Sequence, residues 1–358
     1  MASKQPETFN LHVPDAALAD LRERLSRTRF PDQAPSEPWA YGTDLNWMAG
    51  FVDYWRDGFD WRAQEARLNS FPQYKVSLQG IDLHFMHVLG NGPDPHPLLL
   101  SHGWPGSVFE FLELIPRLTD PGRFGADPAD AFTVVVPTDV LGYKRFGAQG
   151  GDWGSWITAR LGLAYPERMS GLHLNMMPVG HNAEGLSART PEESRYLEEF
   201  RAWLKEESGY GWIQSTRPQT LAFALTDSPA GLAAWIVEKF RAWSDCAGDI
   251  ETVFTRDRLL ANIGLYWFTG AIGSSFWPYY CRAHSSWQIE EPEIITIPTG
   301  YCEFPHEIIR PPRSVAERVF RDIRRWSVMP RGGHFAAMEQ PEALAQEIRE
   351  LFRPLRSE

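Results

Sequence analysis

Apolar positions recur along this chain with two different periods, and the change between them divides it. Residues 15–29 carry Leu18, Leu21 and Leu25 at helical spacing, with Asp15 placed to cap the start. Pro31, Pro35 and Pro38 then interrupt the pattern. Residues 45–69 predict a second helix with an aromatic face: Trp47, Phe51, Tyr54, Trp55 and Trp61. Residues 74–78 and 81–88 alternate with period two and meet at Gln79-Gly80, which predicts a hairpin.

From Pro97 onward the signal becomes short continuous apolar runs, as expected of strands buried on both faces. Such runs fall at 98–100, 132–136, 145–149 and 172–175, with helices predicted at 108–118 and 155–163. Strands alternating with helices predict an α/β class fold with a mostly parallel sheet. Residues 179–287 lack buried strand runs; they read as helices rich in Trp and Tyr, broken at Pro218 and Pro229. Strand character resumes at 294–298 and 326–329, and residues 341–352 close the chain with a helix. A helical block inserted into a resumed sheet predicts a core, 76–178 and 288–358, carrying a lid, 179–287.

One spacing is awkward. Only residues 137–143 separate the strand at 132–136 from the strand at 145–149. Parallel neighbours need a crossover of about a dozen residues or more. Either the two strands do not both belong to the parallel sheet, or a segment near residues 138–142 is missing from the sequence. The second explanation is preferred.

Composition narrows the function without naming it. The 358 residues hold 35 Lys and Arg against 46 Asp and Glu, a net charge of −11, which excludes a basic nucleic-acid binder. Cys246, Cys281 and Cys302 are odd in number and lack CxxC spacing, so neither a disulfide framework nor a thiolate zinc site is expected. A reducing, cytoplasmic setting fits them. No signal-peptide h-region and no apolar stretch long enough for a membrane span is visible.

The chemistry concentrates in three places. Gly150-Gly151-Asp152-Trp153-Gly154 lies between a strand and a helix with the small-x-nucleophile-x-small spacing of a nucleophile elbow. The apex residue is a carboxylate. Displacement at a saturated carbon by a serine would leave an ether that water does not cleave, whereas a carboxylate leaves a hydrolysable ester. Asp152 therefore points to epoxide opening or halide loss; taken alone, it could equally cap the next helix. His102-Gly103-Trp104-Pro105-Gly106 follows the first buried strand, where the Trp104 N–H, with that of Trp153, could form an oxyanion hole. His102 itself is read as structural. Gly332-Gly333-His334-Phe335-Ala336-Ala337 follows the last strand and offers His334 as a general base. Its acidic partner should follow the preceding strand, where spacing leaves both Glu303 and Glu307 open.

These motifs resemble the epoxide hydrolases of the α/β-hydrolase fold, in their microsomal-like branch. The likeness covers nearly the whole chain. Phe9-Asn10-Leu11-His12-Val13-Pro14 through Arg27-Thr28-Arg29-Phe30-Pro31 is similar to that branch's N-terminal domain, here an extension over 1–75. Phe304-Pro305-His306-Glu307 matches a Phe-Pro-x-acid motif, and the resemblance thereby selects Glu307 as the partner of His334. It also implies two lid tyrosines that hold the epoxide oxygen. Ser208-Gly209-Tyr210 aligns with the first; Tyr279, with Tyr280 as the fallback, aligns with the second. Such donors are needed because the leaving alkoxide is poor and develops charge. Relatives usually carry a longer stretch before Leu141-Gly142-Tyr143, in keeping with the crossover argument, and the absence of an anchor resembles soluble bacterial members.

The expected reaction is hydrolysis of an apolar epoxide to a vicinal diol through an ester on Asp152, with no cofactor and no metal. Self-association as a homodimer is left open. Two rivals remain: a haloalkane dehalogenase using the same nucleophile, and a non-catalytic protein holding an apolar ligand under the lid.

Overall fold

The computed structural model describes residues 5–135, 141–179, 186–285 and 293–356. The chain forms two compact units. One contains the described residues of 1–10, 67–202 and 289–358; the other contains 11–66 and those of 203–288. The N-terminal extension thus divides: most of it groups with the lid helices, while its ends at 5–10 and 67–75 belong with the sheet.

The first unit is built on a nine-stranded sheet. Its strands are β1 Glu7–Thr8, β2 Gln73–Leu78, β3 Ile81–Val88, β4 His96–Ser101, β5 Phe132–Val135, β6 Phe146–Gly150, β7 Met169–Leu174, β8 Thr299–Glu303 and β9 Ile323–Val328. Their order is β1-β2-β3-β5-β4-β6-β7-β8-β9. The pairs from β1 to β5 are antiparallel, and every pair from β5 to β9 is parallel. β5 and β6 both belong to the parallel sheet but are not neighbours, because β4 lies between them. The first explanation of the short connection therefore falls. The segment near 138–142 invoked by the second lies largely outside the described residues.

β6 and β7 are buried along their whole length, which is why they read as apolar runs without alternation. The Pro341–Leu355 helix contributes an apolar stripe of Leu344, Ile348, Leu351, Phe352 and Leu355, spaced three and four apart. The Trp153–Ala164 helix runs against β4 so closely that a Cβ at Gly154 would lie 1.9 Å from the Ser101 carbonyl oxygen.

The second unit is helical. Phe51, Phe240, Trp243 and Phe254 are fully buried in it. Polar links join its two sequence segments: Tyr54 Oη donates to Asp257 Oδ1 at 2.7 Å, and Thr43 Oγ1 donates to the Ala234 carbonyl at 2.8 Å. Pro218 and Pro229 do not merely break helices. Each begins one, where its missing N–H has no intrahelical partner to lose.

Several elements depart from their predicted form. The helix expected over 45–69 is two, Leu45–Asp57 and Trp61–Asn69, with Gly58 closing the first. Asp15 does not cap its helix; Pro14 holds that position and Asp15 pairs with Arg62 instead. The 108–118 helix is a 3₁₀ turn, Val108–Phe111, followed by Leu114–Thr119. The strand expected at 294–298 lies at Thr299–Glu303, with only a bridge from Ile295 to Phe320 before it. Apolar runs announce burial there, but backbone pairing decides which residues form the ladder.

Replacement of Gly154 by Ala is expected to destabilise the fold by about 1–3 kcal/mol, because the obstructing atom is backbone. A lower urea midpoint at unchanged slope is the expected reading; an unchanged midpoint contradicts the close approach.

Candidate active site

The sequence-predicted residues of the sheet unit converge at the C-terminal ends of the parallel strands, the edge where open α/β sheets place their sites. β6 ends at Gly150, and Asp152 stands between it and the Trp153–Ala164 helix. Asp152 has φ 48° and ψ −130°, a backbone state that non-glycine residues rarely adopt. The strain is held by neighbours. Ser155 donates to the Asp152 carbonyl through both its N–H, at 2.9 Å, and its hydroxyl, at 2.7 Å. The carboxylate sits at a helix N-terminus, where the backbone dipole favours negative charge.

The loop after β4 supplies the next part. The Trp104 N–H donates to Asp152 Oδ1 at 2.7 Å. Gly103 allows this, since a Cβ there would fall 2.1 Å from the same oxygen. Trp153 is the first residue of its helix, where N–H groups point out along the axis. His102 turns inward and donates from Nδ1 to the Gly103 carbonyl at 3.1 Å. Burial lowers its pKa, against weaker upward effects of that carbonyl and of Asp152.

The loops after β8 and β9 bring acid and base together. A parallel bridge joins His306 to Gly333, so the residues following each lie side by side. His334 Nδ1 donates to Glu307 Oε1 at 2.6 Å, and its Nε2 lies 3.6 Å from Asp152 Oδ2. Glu303 instead ends β8 opposite Val328. The His334 and Glu307 side chains are buried, at 3% and 0% exposure, whereas Asp152 keeps 13%. Burial by itself would lower the His334 pKa. Glu307 outweighs it, Asp152 and Glu110 add to the effect, and the imidazole is pushed up to about 9.

Glu110 is the residue that sequence reasoning missed. It lines the same recess as Asp152, His334 and His102. Burial pushes it up to about 8; Asp152 and Glu339 push the same way and His334 opposes them. Its only signal in the sequence is a lone carboxylate between Phe109 and Phe111. Gln149 and Asn175 also escaped notice. Gln149 Nε2 donates to Asn175 Oδ1 at 2.7 Å beneath the Asp152 turn.

The helical unit holds the two lid tyrosines. The rings of Tyr210 and Tyr279 meet edge to face at 5.9 Å. Tyr280 instead points away, 41% exposed and stacked on His284 at 4.0 Å.

Fold and site together define a hydrolase of the α/β fold with a carboxylate in the nucleophile position. Comparison with known proteins narrows the class. A family profile described as "Epoxide hydrolase N terminus" matches residues 6–111. The chain is 41% identical to a presumed epoxide hydrolase of Stigmatella aurantiaca, over 98% of this chain and 85% of that protein. It is 35% identical to epoxide hydrolase 1 of Oryctolagus cuniculus, over 95% and 87%. The crystal structure of juvenile hormone epoxide hydrolase from the silkworm Bombyx mori superimposes with a TM-score of 0.86 at 28% identity, covering 99% of this chain and 96% of that one. The chain belongs to the epoxide hydrolase family. The alignments to the first two run over 377 and 395 positions, longer than the 358 residues here, so both relatives carry residues that this chain lacks.

Glu110 and His334 hold their protons more tightly in the folded protein than in the unfolded chain. Their stabilisation is complete below the unfolded pKa values and is lost as pH rises through about 8 and about 9. Urea unfolding is expected to show stability falling from about pH 4.5, where Glu110 begins to contribute, to about pH 9, with a shallower fall above about pH 6.5 in His334→Gln. A wild-type stability that is flat across that window contradicts this charge arrangement.

Proposed function

We propose that this epoxide hydrolase opens an apolar epoxide through an ester on Asp152, with His334 and Glu307 driving its hydrolysis. The observation that carries the proposal is the division of labour between the two Asp152 oxygens. Oδ1 is engaged by the Trp104 N–H, while Oδ2 faces His334. Oδ2 is therefore the nucleophile, and Oδ1 becomes the ester carbonyl oxygen.

Oδ2 attacks one ring carbon, the ring C–O bond breaks, and the oxygen leaves as an alkoxide that takes a proton from Tyr210 or Tyr279. Their half-buried aromatic surroundings, with Trp243 packed on Tyr210 at 5.1 Å, suit an apolar substrate. Ester formation removes the negative charge of Asp152. One of the groups that raised the His334 pKa is then gone, and the imidazole gives up its proton, replacing the one the tyrosine lost. Neutral His334 takes a proton from water, whose oxygen adds to Cγ of Asp152. The charge builds on Oδ1, where the N–H groups of Trp104 and Trp153 stabilise it. The intermediate collapses, the acyl C–O bond breaks, and His334 protonates the departing diol.

Among the described residues no single helix is long and apolar enough to cross a membrane. A reducing compartment such as the cytoplasm suits the three cysteines, which are all free thiols.

A single turnover with excess enzyme and an aryl epoxide in water labelled with heavy oxygen tests the route. Label is expected in the peptide containing Asp152 and not in the first equivalent of diol; label in the diol alone means direct hydration. His334→Gln is expected to accumulate the ester, its hydrolysis slowed by about 10²–10⁴, seen as an intact-mass increase equal to the epoxide. Asp152→Asn is expected to show no such adduct. Tyr210→Phe and Tyr279→Phe are each expected to slow ester formation by about 10²-fold while leaving its hydrolysis nearly unchanged.

A further inference from the structure

Glu110 has no part in the cycle above, yet it occupies the same recess. Its side chain reaches the recess from the 3₁₀ turn Val108–Phe111, where its own N–H donates to the Ser107 carbonyl at 2.9 Å. The residue is 9% exposed. The effects that shift its carboxyl are burial and neighbouring charges, with no hydrogen bond among them. The carboxyl lies over Gly106: a Cβ there would meet Glu110 Oε1 at 1.3 Å, so the chain leaves this space clear for it. The recess is tight, with free space for about one water molecule.

A buried carboxyl, an imidazole and the nucleophilic carboxylate around a one-water space form a built water site. We infer that Glu110 holds the hydrolytic water, accepting one of its O–H groups so that the other points at His334 and the oxygen at Cγ of Asp152. This rests on the ester route proposed above and adds a residue to its second half. Ester formation needs no water, so Glu110 should be silent there.

The protonation of Glu110 suits the role. The charged groups that act on it are Asp152 and Glu339, which favour the acid, and His334, which opposes them; the buried imidazole of His102 lines the same recess. The acid prevails near neutral pH. A neutral carboxyl accepts the water's O–H through its carbonyl oxygen without placing a further negative charge beside the carboxylate that must attack. In the hydrolysis step it gains and loses no proton. The water proton goes to His334 Nε2, the new C–O bond forms at Cγ, and the ester C–O bond breaks.

The experiment separates the two half-reactions by rapid quench and intact mass in wild type, Glu110→Leu, Glu110→Asp and Glu110→Gln. In wild type the ester should form and decay. Glu110→Leu is expected to slow ester hydrolysis by about 10²-fold, since misplaced reactants cost about that much, and so to accumulate the ester. Ester formation should stay within about threefold of wild type in all three variants. Glu110→Asp keeps the acid but shortens its reach, so it should also slow hydrolysis; it carries the test if the leucine variant does not fold. Glu110→Gln keeps a neutral carbonyl acceptor at full length and should hydrolyse the ester within about fivefold of wild type. Equal slowing of both steps in the leucine and aspartate variants indicates a packing role and overturns the inference, as does unimpaired hydrolysis. A wild type that yields diol without ester overturns the Asp152 route itself, a different result from either.

Discussion

The positive charge of His334 is the interaction on which the site depends. Glu307 and Asp152 lie on opposite sides of its ring, and both carboxylates stand where water is scarce. Two anions there without a cation between them would carry a desolvation cost of several kcal/mol each. With the imidazolium between them, each carboxylate has a partner that fixes its orientation. On the proposed route the arrangement is also self-releasing: loss of the Asp152 charge removes one of the groups that raise the His334 pKa. Glu110 keeps its proton for a different reason: burial raises its pKa and outweighs the opposing charge of His334.

Geometry of this kind needs a rigid base, and the parallel sheet supplies it. Asp152, Trp104, Glu307 and His334 come from loops after four different strands, β6, β4, β8 and β9. Parallel strands end on one edge, so residues distant in sequence meet there. The Gly154 helix locks against β4, fixing the Asp152 turn relative to the Trp104 loop. The His306–Gly333 bridge does the same for acid and base. The strain at Asp152 is tolerated because these contacts over-determine its position.

Much of this was legible in the residues. The carboxylate between paired small residues announced both the turn and the reaction class, since only an ester regenerates the nucleophile. Fold class followed from the change of apolar period, because burial on both faces removes alternation. Less legible were features that depend on pairing partners. The strand at Thr299–Glu303 was placed several residues early, because Ile294 to Pro298 carries the apolar signal while the following residues form the ladder. The break at Gly58 was masked by an aromatic pattern that continues through it. The crossover difficulty remains, since β5 and β6 are both parallel to the β4 strand between them, and most of the residues joining them lie outside those described.

By itself the sequence determined the candidate groups for the proposed reaction: a carboxylate at the elbow, a histidine and a short choice of acids. These are chemical identities, carried by local motifs whose turn geometry is a property of a few adjacent residues. Between Glu303 and Glu307, spacing was silent and only the family resemblance pointed to a choice; the hydrogen bond to His334 comes from the packing of two loops. Tyr279 rather than Tyr280 meets Tyr210 because of how its helix is rotated against its neighbour. Glu110 in the recess, and the proton it keeps, belong wholly to tertiary structure. A pKa depends on the water and charge surrounding a group, and those are set only when segments distant in sequence close around it.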